Sequence, residues 1–100
     1  MEIKKVEKEK WVQISLIGRL DAITSSQLQL ALDEIFKSTI EELVFDFKEL
    51  EYLSSAGLRI ILNAQKLALS IRCKMKLINV NSNVMDVFKI TGFDDFLTIE

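Results

Sequence analysis

The stretch EELVFDFKELEYLSSAGLRIILNAQKLAL, residues 41–69, contains the two elements that decide the fold. Residues 41–47 form a short apolar run with β-branched and aromatic side chains, which predicts a buried strand. Residues 55–69 are apolar on almost every side, which predicts a helix that packs closely on a sheet. The single polar stripe of this helix consists of Arg59, Asn63 and Lys66. A buried strand followed by such a helix is typical of an α/β sheet.

The same two kinds of pattern continue on both sides of this stretch. Period-two alternation or short apolar runs predict further strands at residues 10–18, 74–80 and 96–99. Apolar positions three and four residues apart predict further helices at residues 24–37 and 82–91. The beginning of the chain is rich in lysine and glutamate, which favours a solvated edge strand over a partner-binding arm.

Together these elements predict an α/β fold with the order β-β-α-β-α-β-α-β. We expect a single domain over residues 1–100, with a mixed, mainly parallel β-sheet packed against helices and an antiparallel first pair of strands. Thr24 and Gln27 fit a capping box at the start of the first helix. Gly92 is expected to end the last helix in the left-handed conformation.

Missing residue types exclude most kinds of active site. The 100 residues include no histidine, one cysteine and three glycines. The absence of histidine excludes histidine-dependent triads, and a lone Cys73 excludes an internal disulfide, a CxxC pair and a cysteine-rich zinc site. Phosphate-binding glycine loops and the GxSxG and SxxK sequences are also missing. We therefore expect that the chain is not an enzyme and binds neither a cofactor nor a metal.

Charge and hydropathy limit the partners of the chain. Its net charge is −2, whereas duplex nucleic-acid binders usually carry a basic surface, so direct nucleic-acid binding is not expected. Its apolar runs are too short for a transmembrane helix, and its first residues lack the apolar core of a secretory signal. We therefore expect no membrane association and a cytoplasmic location.

Three polar loops are candidates for a functional site, because sites in open α/β sheets lie at the carboxyl ends of the strands. These loops are residues 18–24, 50–57 and 79–83. The middle loop puts Ser54 and Ser55 at the start of the most apolar helix, where free amides and the helix dipole favour a capping hydroxyl or an anion. From position alone, both serines are expected to be caps and Asp21 to order its own turn or cap the first helix.

Four short segments, in this order and at this spacing, resemble one protein family. They are GRLD at residues 18–21, LVFDF at 43–47, YLSSAGLR at 52–59, and the pattern V-x-x-x-F-x-x-x-G-F at 84–93. These segments resemble the turn, central strand, serine loop and closing helix of the anti-sigma factor antagonists, a family of the STAS domain class. The resemblance covers essentially the whole chain.

The resemblance implies a mixed sheet packed with helices and a function as a phosphorylation switch. In this family the unmodified antagonist binds an anti-sigma factor and so releases sigma factor for transcription. The anti-sigma factor is also a serine kinase that phosphorylates the antagonist at a helix start, and a serine phosphatase reverses the modification. We expect a monomer or a weak dimer. A non-switching STAS scaffold or a small-ligand-binding module in a signalling assembly stays the alternative.

The resemblance also implies which residues carry the switch. Many family members read D-S-S-G-L, and aligning Gly57 with the glycine of that motif places the phospho-acceptor at Ser55. Ser54 then stands where many members have aspartate, a departure that implies slower phosphorylation, a different kinase, or an acceptor shifted to Ser54. The partner-binding residues implied are Asp21, Ser54, Ser55, Gly57 and Arg59. Packing in the core or at an edge is expected for Tyr52, Phe93 and Phe96.

Overall fold

Five strands and three helices make up the computed structural model, which describes residues 1–100. The elements are β1 (Glu2–Lys8), β2 (Trp11–Leu20), α1 (Ser25–Ile35), β3 (Glu42–Asp46), β4 (Leu50–Leu53), α2 (Ser55–Ser70), β5 (Lys74–Ile78) and α3 (Ser82–Thr91). The sheet order is β1-β2-β3-β5, and β4 pairs with β2. Only β1 and β2 are antiparallel. The predicted α/β class with a mixed, mainly parallel sheet is confirmed.

The long strand β2 bends at Gly18 and so serves two neighbours. Its residues 11–15 pair with β3, and its residues 18–20 pair with β4. The register shifts between Gly18 and Arg19, and Gly18 has a φ of 106°. Residues with a Cβ atom rarely adopt this backbone conformation, so a glycine suits the bend. The bend places Leu20, at the end of β2, beside Leu53 of β4.

The fifth strand lies at a different place in the chain from the one that the sequence predicts. Residues 50–53, expected to belong to a loop, form β4, in which Leu50 and Leu53 are buried. Four residues give too short a pattern to predict a strand, and β4 depends on hydrogen bonds to the distant β2. Residues 96–99, expected to be a strand, contribute only a single parallel bridge, between Leu77 and Ile99.

The core is one cluster of buried apolar side chains from the sheet and all three helices. Phe47 is fully buried in it, and its ring centroid lies 5.8 Å from that of Phe45 and 6.5 Å from that of Phe88. Leu20 and Leu53 belong to the same cluster. The ends of β2 and β4 are therefore anchored in the core where the candidate loops begin.

Two helix ends bear on the predictions from the sequence. Gly92 follows α3 with a φ of 78°, and the N–H of Phe93 donates to the carbonyl of Phe88 at 2.9 Å, so the predicted left-handed end of this helix is confirmed. The longest helix is α2, which spans Ser55–Ser70. None of the helices combines the length and the apolar character that a membrane crossing requires.

Candidate functional site

The ends of β2 and β4 bring the candidate loops together at one edge of the sheet. The backbone N–H of Ser54 donates to the carbonyl of Leu20 at 2.9 Å. Asp21 and Ser55 directly follow these two residues, so the turn after β2 and the start of α2 are neighbours. The third loop joins them through Asn81, whose Nδ2 donates to the backbone carbonyl of the first residue of β4 at 2.7 Å. All three loops follow the carboxyl ends of strands, but the first two meet at Ser54, whereas the hydrogen bond of the third reaches the amino end of β4.

Ser54 is the N-cap of α2. Its backbone is extended, with φ −87° and ψ 170°, and its Oγ accepts a hydrogen bond from the N–H of Gly57 at 3.2 Å. Its carbonyl accepts the first helical hydrogen bond, from the N–H of Leu58 at 2.9 Å. The half-buried Ser54 hydroxyl is thus engaged by the helix, which is the capping role that its position predicts.

Ser55 differs from Ser54 in both exposure and bonding. It is the first residue of α2, its side chain is exposed, and its hydroxyl takes part in no hydrogen bond within the chain. The expectation that both serines are caps is therefore wrong for Ser55. The positive end of the helix dipole, about half a unit charge, lies beside this free hydroxyl. An anionic group on Ser55 would break no hydrogen bond of the fold.

Asp21 orders the turn between β2 and α1. Its Oδ1 accepts hydrogen bonds from the N–H of Thr24 at 2.9 Å and from the N–H of Ile23 at 3.0 Å. The pKa of the Asp21 carboxyl is lowered, mainly by the hydrogen bond from the Thr24 N–H. Desolvation opposes this, but the Thr24 hydroxyl, the Ile23 N–H and the charge of Arg19 lower the pKa further, so the net shift is downward. The carboxylate form therefore holds the turn in place.

The predicted capping box of Thr24 and Gln27 is wrong. Thr24 has a helical backbone, with φ −80° and ψ −13°, so its hydroxyl points back into the turn rather than along the helix. The Thr24 hydroxyl donates to the carbonyl of Arg19 at 2.7 Å and accepts from the N–H of Asp21 at 2.9 Å. The Gln27 side chain donates to the carbonyl of Met1 at 3.1 Å instead. The side chain that accepts hydrogen bonds from free N–H groups before α1 is therefore that of Asp21, not that of Thr24.

Asp21→Asn is expected to destabilise the protein near neutral pH and to have little effect in acid. Because the folded-state pKa of Asp21 lies below its ordinary value, the carboxylate stabilises the fold above about pH 4 and loses this effect as the pH falls through the lowered pKa. The free energy of unfolding, measured in urea at about pH 7 and about pH 2.5, checks this. Asp86→Asn, at an exposed aspartate of α3, is the control. An equal loss for Asp21→Asn at both pH values would contradict the carboxylate's role.

Gly57 and Arg59, also predicted to bind a partner, occupy opposite faces of α2. Gly57 is buried, and a Cβ atom there would come within 2.5 Å of Leu20 Cγ and 3.1 Å of Leu53 Cδ1. Gly57 therefore cannot contact a partner itself. It supports the partner surface by letting α2 lie close to β2 and β4. Arg59 is exposed and forms no ion pair within the chain. Its guanidinium group is free for an external anion.

A cation–π contact borders these residues and could not be found from the sequence. Arg19 Cζ lies 4.2 Å from the centroid of the Tyr52 ring. The pairing register of β2 and β4 sets these residues opposite each other, so only knowledge of β4 reveals the contact. Tyr52, expected to pack, is 41% exposed at this edge, and Ile23 on the neighbouring turn is 85% exposed. Both side chains leave apolar surface exposed, Tyr52 on β4 and Ile23 on the turn that follows β2.

The third loop is held by hydrogen bonds to the end of β3 and to the start of α3. Asn79, in the left-handed conformation with φ 57°, donates through Nδ2 to Asp46 Oδ1 at 3.0 Å, and the N–H of Lys48 donates to the same oxygen at 3.0 Å. Asn81 caps α3 by accepting from the N–H of Val84 at 2.9 Å. The structure contains no group of three or more histidine, cysteine, aspartate or glutamate side chains arranged to hold a metal ion.

Comparison with known proteins adds a family to this geometry. The family model described as STAS domain matches residues 2–100. The chain belongs to the STAS domain family. This STAS chain is 26% identical to the anti-sigma-B factor antagonist of Listeria monocytogenes over 100 residues, which are 100% of this chain and 87% of that protein. It is 30% identical to the anti-sigma F factor antagonist of Paenibacillus polymyxa over 87 residues, which are 86% of this chain and 74% of that protein. The family resemblance of the sequence is confirmed.

Solved structures agree with the STAS assignment. The anti-sigma factor antagonist SpoIIAA in its unphosphorylated form superposes with a TM-score of 0.84 at 20% identity, over 99% of this chain and 88% of that one. The Bacillus cell fate determinant SpoIIAA in the phosphorylated form gives a TM-score of 0.78 at 19% identity, over 99% and 91% of the two chains. At such identities the likeness shows the STAS fold.

Proposed function

We propose that this STAS protein is an anti-sigma factor antagonist and that phosphorylation of Ser55 switches its binding to the anti-sigma factor off. The names of the two curated relatives support the first part. The observation that carries the second part is the contrast between the two serines: Ser54 Oγ caps α2, whereas the Ser55 hydroxyl is exposed and free. SpoIIAA, which shares the fold, has been solved in phosphorylated and unphosphorylated forms.

The local electrostatics allow phosphorylation without a change of fold. A phosphate adds about −1.5 to −2 charges at neutral pH. On Ser55 it would lie at the positive end of the α2 dipole, which favours an anion by up to about 1 kcal/mol at an exposed site. Asp21, on the adjacent turn, already carries a negative charge, because the pKa of its carboxyl is lowered. Phosphorylation therefore concentrates negative charge on this surface while the buried core stays unchanged.

The partner surface that we propose consists of Asp21, Ser54, Ser55 and Arg59, with Gly57 supporting it from below. Its partner is an anti-sigma factor that also serves as the serine kinase, and a serine phosphatase restores the binding form. An interface fitted to a neutral Ser55 must desolvate the phosphate, and the charge of Arg59, one helical turn away, offsets only part of that cost. Loss of about 3–4 kcal/mol would weaken binding a few hundred-fold, enough for a switch.

Phosphate mapping tests the proposed switch. After incubation with ATP and an extract of the source cells, we expect the intact mass to increase by one phosphate, located on Ser55. Ser55→Ala should abolish the modification. Ser54→Ala should keep it, although loss of the cap should lower the free energy of unfolding by about 1 kcal/mol. A phosphate on Ser54 would move the acceptor by one residue. A folded protein that is never modified would favour the non-switching STAS module.

A further inference from the structure

A second concave surface lies at the far end of α2 from Ser55. A groove of about 600 Å³ separates the C-terminal half of α2 from the outer edge of β5. Gln65, Leu69, Arg72, Lys74 and Met75 line it. Gln65 is ten residues from Ser55 along the helix, which corresponds to about 15 Å. The groove is therefore separate from the proposed partner surface.

The wall of the groove contains a polar group that the chain does not satisfy. Gln65 is only 5% exposed, and its Oε1 atom has no hydrogen-bond partner. Leaving a buried amide oxygen unpaired destabilises a fold by about 1–3 kcal/mol, and such groups are rare. The terminal torsion of a glutamine is soft, so its amide can turn to present oxygen or nitrogen to the groove. A molecule in the groove with a matching polar group would satisfy Gln65.

The backbone of β5 offers a second pair of hydrogen-bonding groups. The N–H of Lys74 and the carbonyl of Ile78 bond on the β3 side, so the even-numbered residues of β5 face β3. Leu77 faces the other way, where its N–H and carbonyl bond to residues 98–100 at 2.9 Å each. In a parallel ladder this direction alternates along the strand, so Met75 also faces outward. No hydrogen bond on this side of the strand involves its N–H or carbonyl, so both groups are unpaired in the wall of the groove, although Met75 as a whole is only 4% exposed.

Two cations at the rim lack partners within the chain. Lys76 lies 3.7 Å from a carboxylate oxygen of Glu42 and 3.9 Å from one of Glu100, so its charge is compensated. Arg72 and Lys74 form no ion pair. The five charged side chains of the lining thus sum to +1 on a chain whose net charge is −2. The groove favours an anion that can reach the strand edge.

We propose that this groove binds the carboxyl-terminal end of an extended peptide from a partner protein. The peptide backbone pairs with the unpaired N–H and carbonyl of Met75 in the groove wall, as in strand addition to a sheet edge. Its terminal carboxylate lies between Arg72 and Lys74. One of its amide groups bonds with Gln65, and an apolar side chain covers Leu69, which is 60% exposed. Strand pairing provides affinity, while the carboxylate selects a chain end over an internal segment.

An array of N-acetyl tripeptides tests the proposal, with the last two residues varied and each peptide made as free acid and as C-terminal amide. Binding is followed by ¹⁵N–¹H NMR of the whole chain. We expect a subset of the free acids to shift the Met75 N–H and the Gln65 side-chain NH₂ signals. The amide forms should bind at least about tenfold more weakly, because they lack the carboxylate. No binding from any peptide, equal binding of acids and amides, or shifts centred on Ser55 would overturn the proposal.

Three variants identify the groups that bind. Gln65→Met keeps the length of the side chain but removes the amide, and Lys74→Gln removes an exposed charge. Each should weaken the best free acid about fivefold or more, and Gln65→Met should not lower the melting temperature because it removes an unpaired buried group. Lys89→Gln, which removes an exposed charge on α3 outside the groove, should bind the peptide as well as the unaltered chain. Signals in the groove that shift with protein concentration alone would indicate a second copy of this chain and contradict the peptide assignment.

Discussion

Ser55→Asp is expected to bind the anti-sigma factor about 100-fold more weakly than Ser55→Ala, a difference of about 2.7 kcal/mol. The aspartate places a permanent negative charge at the first residue of α2, next to the carboxylate of Asp21. An interface that fits a hydroxyl there must desolvate this charge, and the exposed Arg59 one turn along α2 offsets only part of the cost. Alanine removes the hydroxyl but adds no charge, so it should retain most of the affinity. Calorimetric titration with the anti-sigma factor captured on the alanine variant measures the difference.

Ser82→Asp is the matched control for this result. Ser82 is the exposed first residue of α3 and follows a capping side chain, Asn81, as Ser55 follows Ser54. The substitution adds the same charge at the same helical position but outside the proposed partner surface. Both aspartate variants should keep the melting temperature of the unaltered protein, because an acidic residue in the first turn suits the helix dipole. Equal weakening by Ser55→Asp and Ser82→Asp would show that overall charge, rather than Ser55, controls binding.

Local patterns were sufficient to predict most of the fold. The alternation of β2 and the apolar positions of α2 and α3 lie within single segments, so their periods could be read without knowing the neighbours. β4 could not be predicted, because it is a strand only through its pairing with the part of β2 beyond the Gly18 bend. The same limit applies to residues 96–99, where a short apolar run meets the edge of β5 at only one bridge.

The sequence was sufficient to predict which residues lie at the candidate site, but not which of them cap a helix and which stay free. The sequence places Ser54 and Ser55 at a helix start, yet only the extended backbone of Ser54 decides which hydroxyl turns back to cap the helix. Asp21 and Thr24 exchange the roles that a capping motif suggests, because the backbone of Thr24 is helical. The contact between Arg19 and Tyr52 depends on the unpredicted β4. The backbone conformation of each residue and the pairing of distant strands therefore determine contacts that the sequence motifs do not specify.

Gly57→Val is expected to lower the free energy of unfolding by about 3 kcal/mol or more, the largest stability effect predicted for this chain. A Cβ atom at this position would lie 2.5 Å from Cγ and 2.8 Å from Cδ2 of Leu20, and Leu20 is fully buried. Neither α2 nor the core can yield without losing contacts, because interiors are close-packed. Gly57→Ala should be milder, since better helix propensity returns about 1 kcal/mol. Urea unfolding monitored by circular dichroism measures both.

The clash with Leu20 can be separated from a general intolerance of α2 to substitution. Ala56→Val changes the neighbouring position, which is only half-buried, and should have a smaller effect than Gly57→Val. In a Leu20→Ala background, Gly57→Val should lose a large part of its effect, with a coupling of about 1–3 kcal/mol, because the two atoms nearest to the added Cβ are gone and only Leu53 Cδ1 remains. Additive losses in the double variant would show that Leu20 is not what requires a glycine.

The same contact links the stability of the fold to the proposed switch. Ser54 donates to the carbonyl of Leu20, so a side chain at position 57 that pushes α2 away from Leu20 also displaces both serines from Asp21. Gly57→Ala, the variant that should still fold, is therefore expected to bind the anti-sigma factor more weakly although Gly57 itself cannot touch the partner. Calorimetric titration of Gly57→Ala beside Leu53→Val, which alters the same core without adding a clash, separates displacement of the serines from loss of stability. Unchanged affinity for Gly57→Ala would mean that the partner does not depend on where α2 begins.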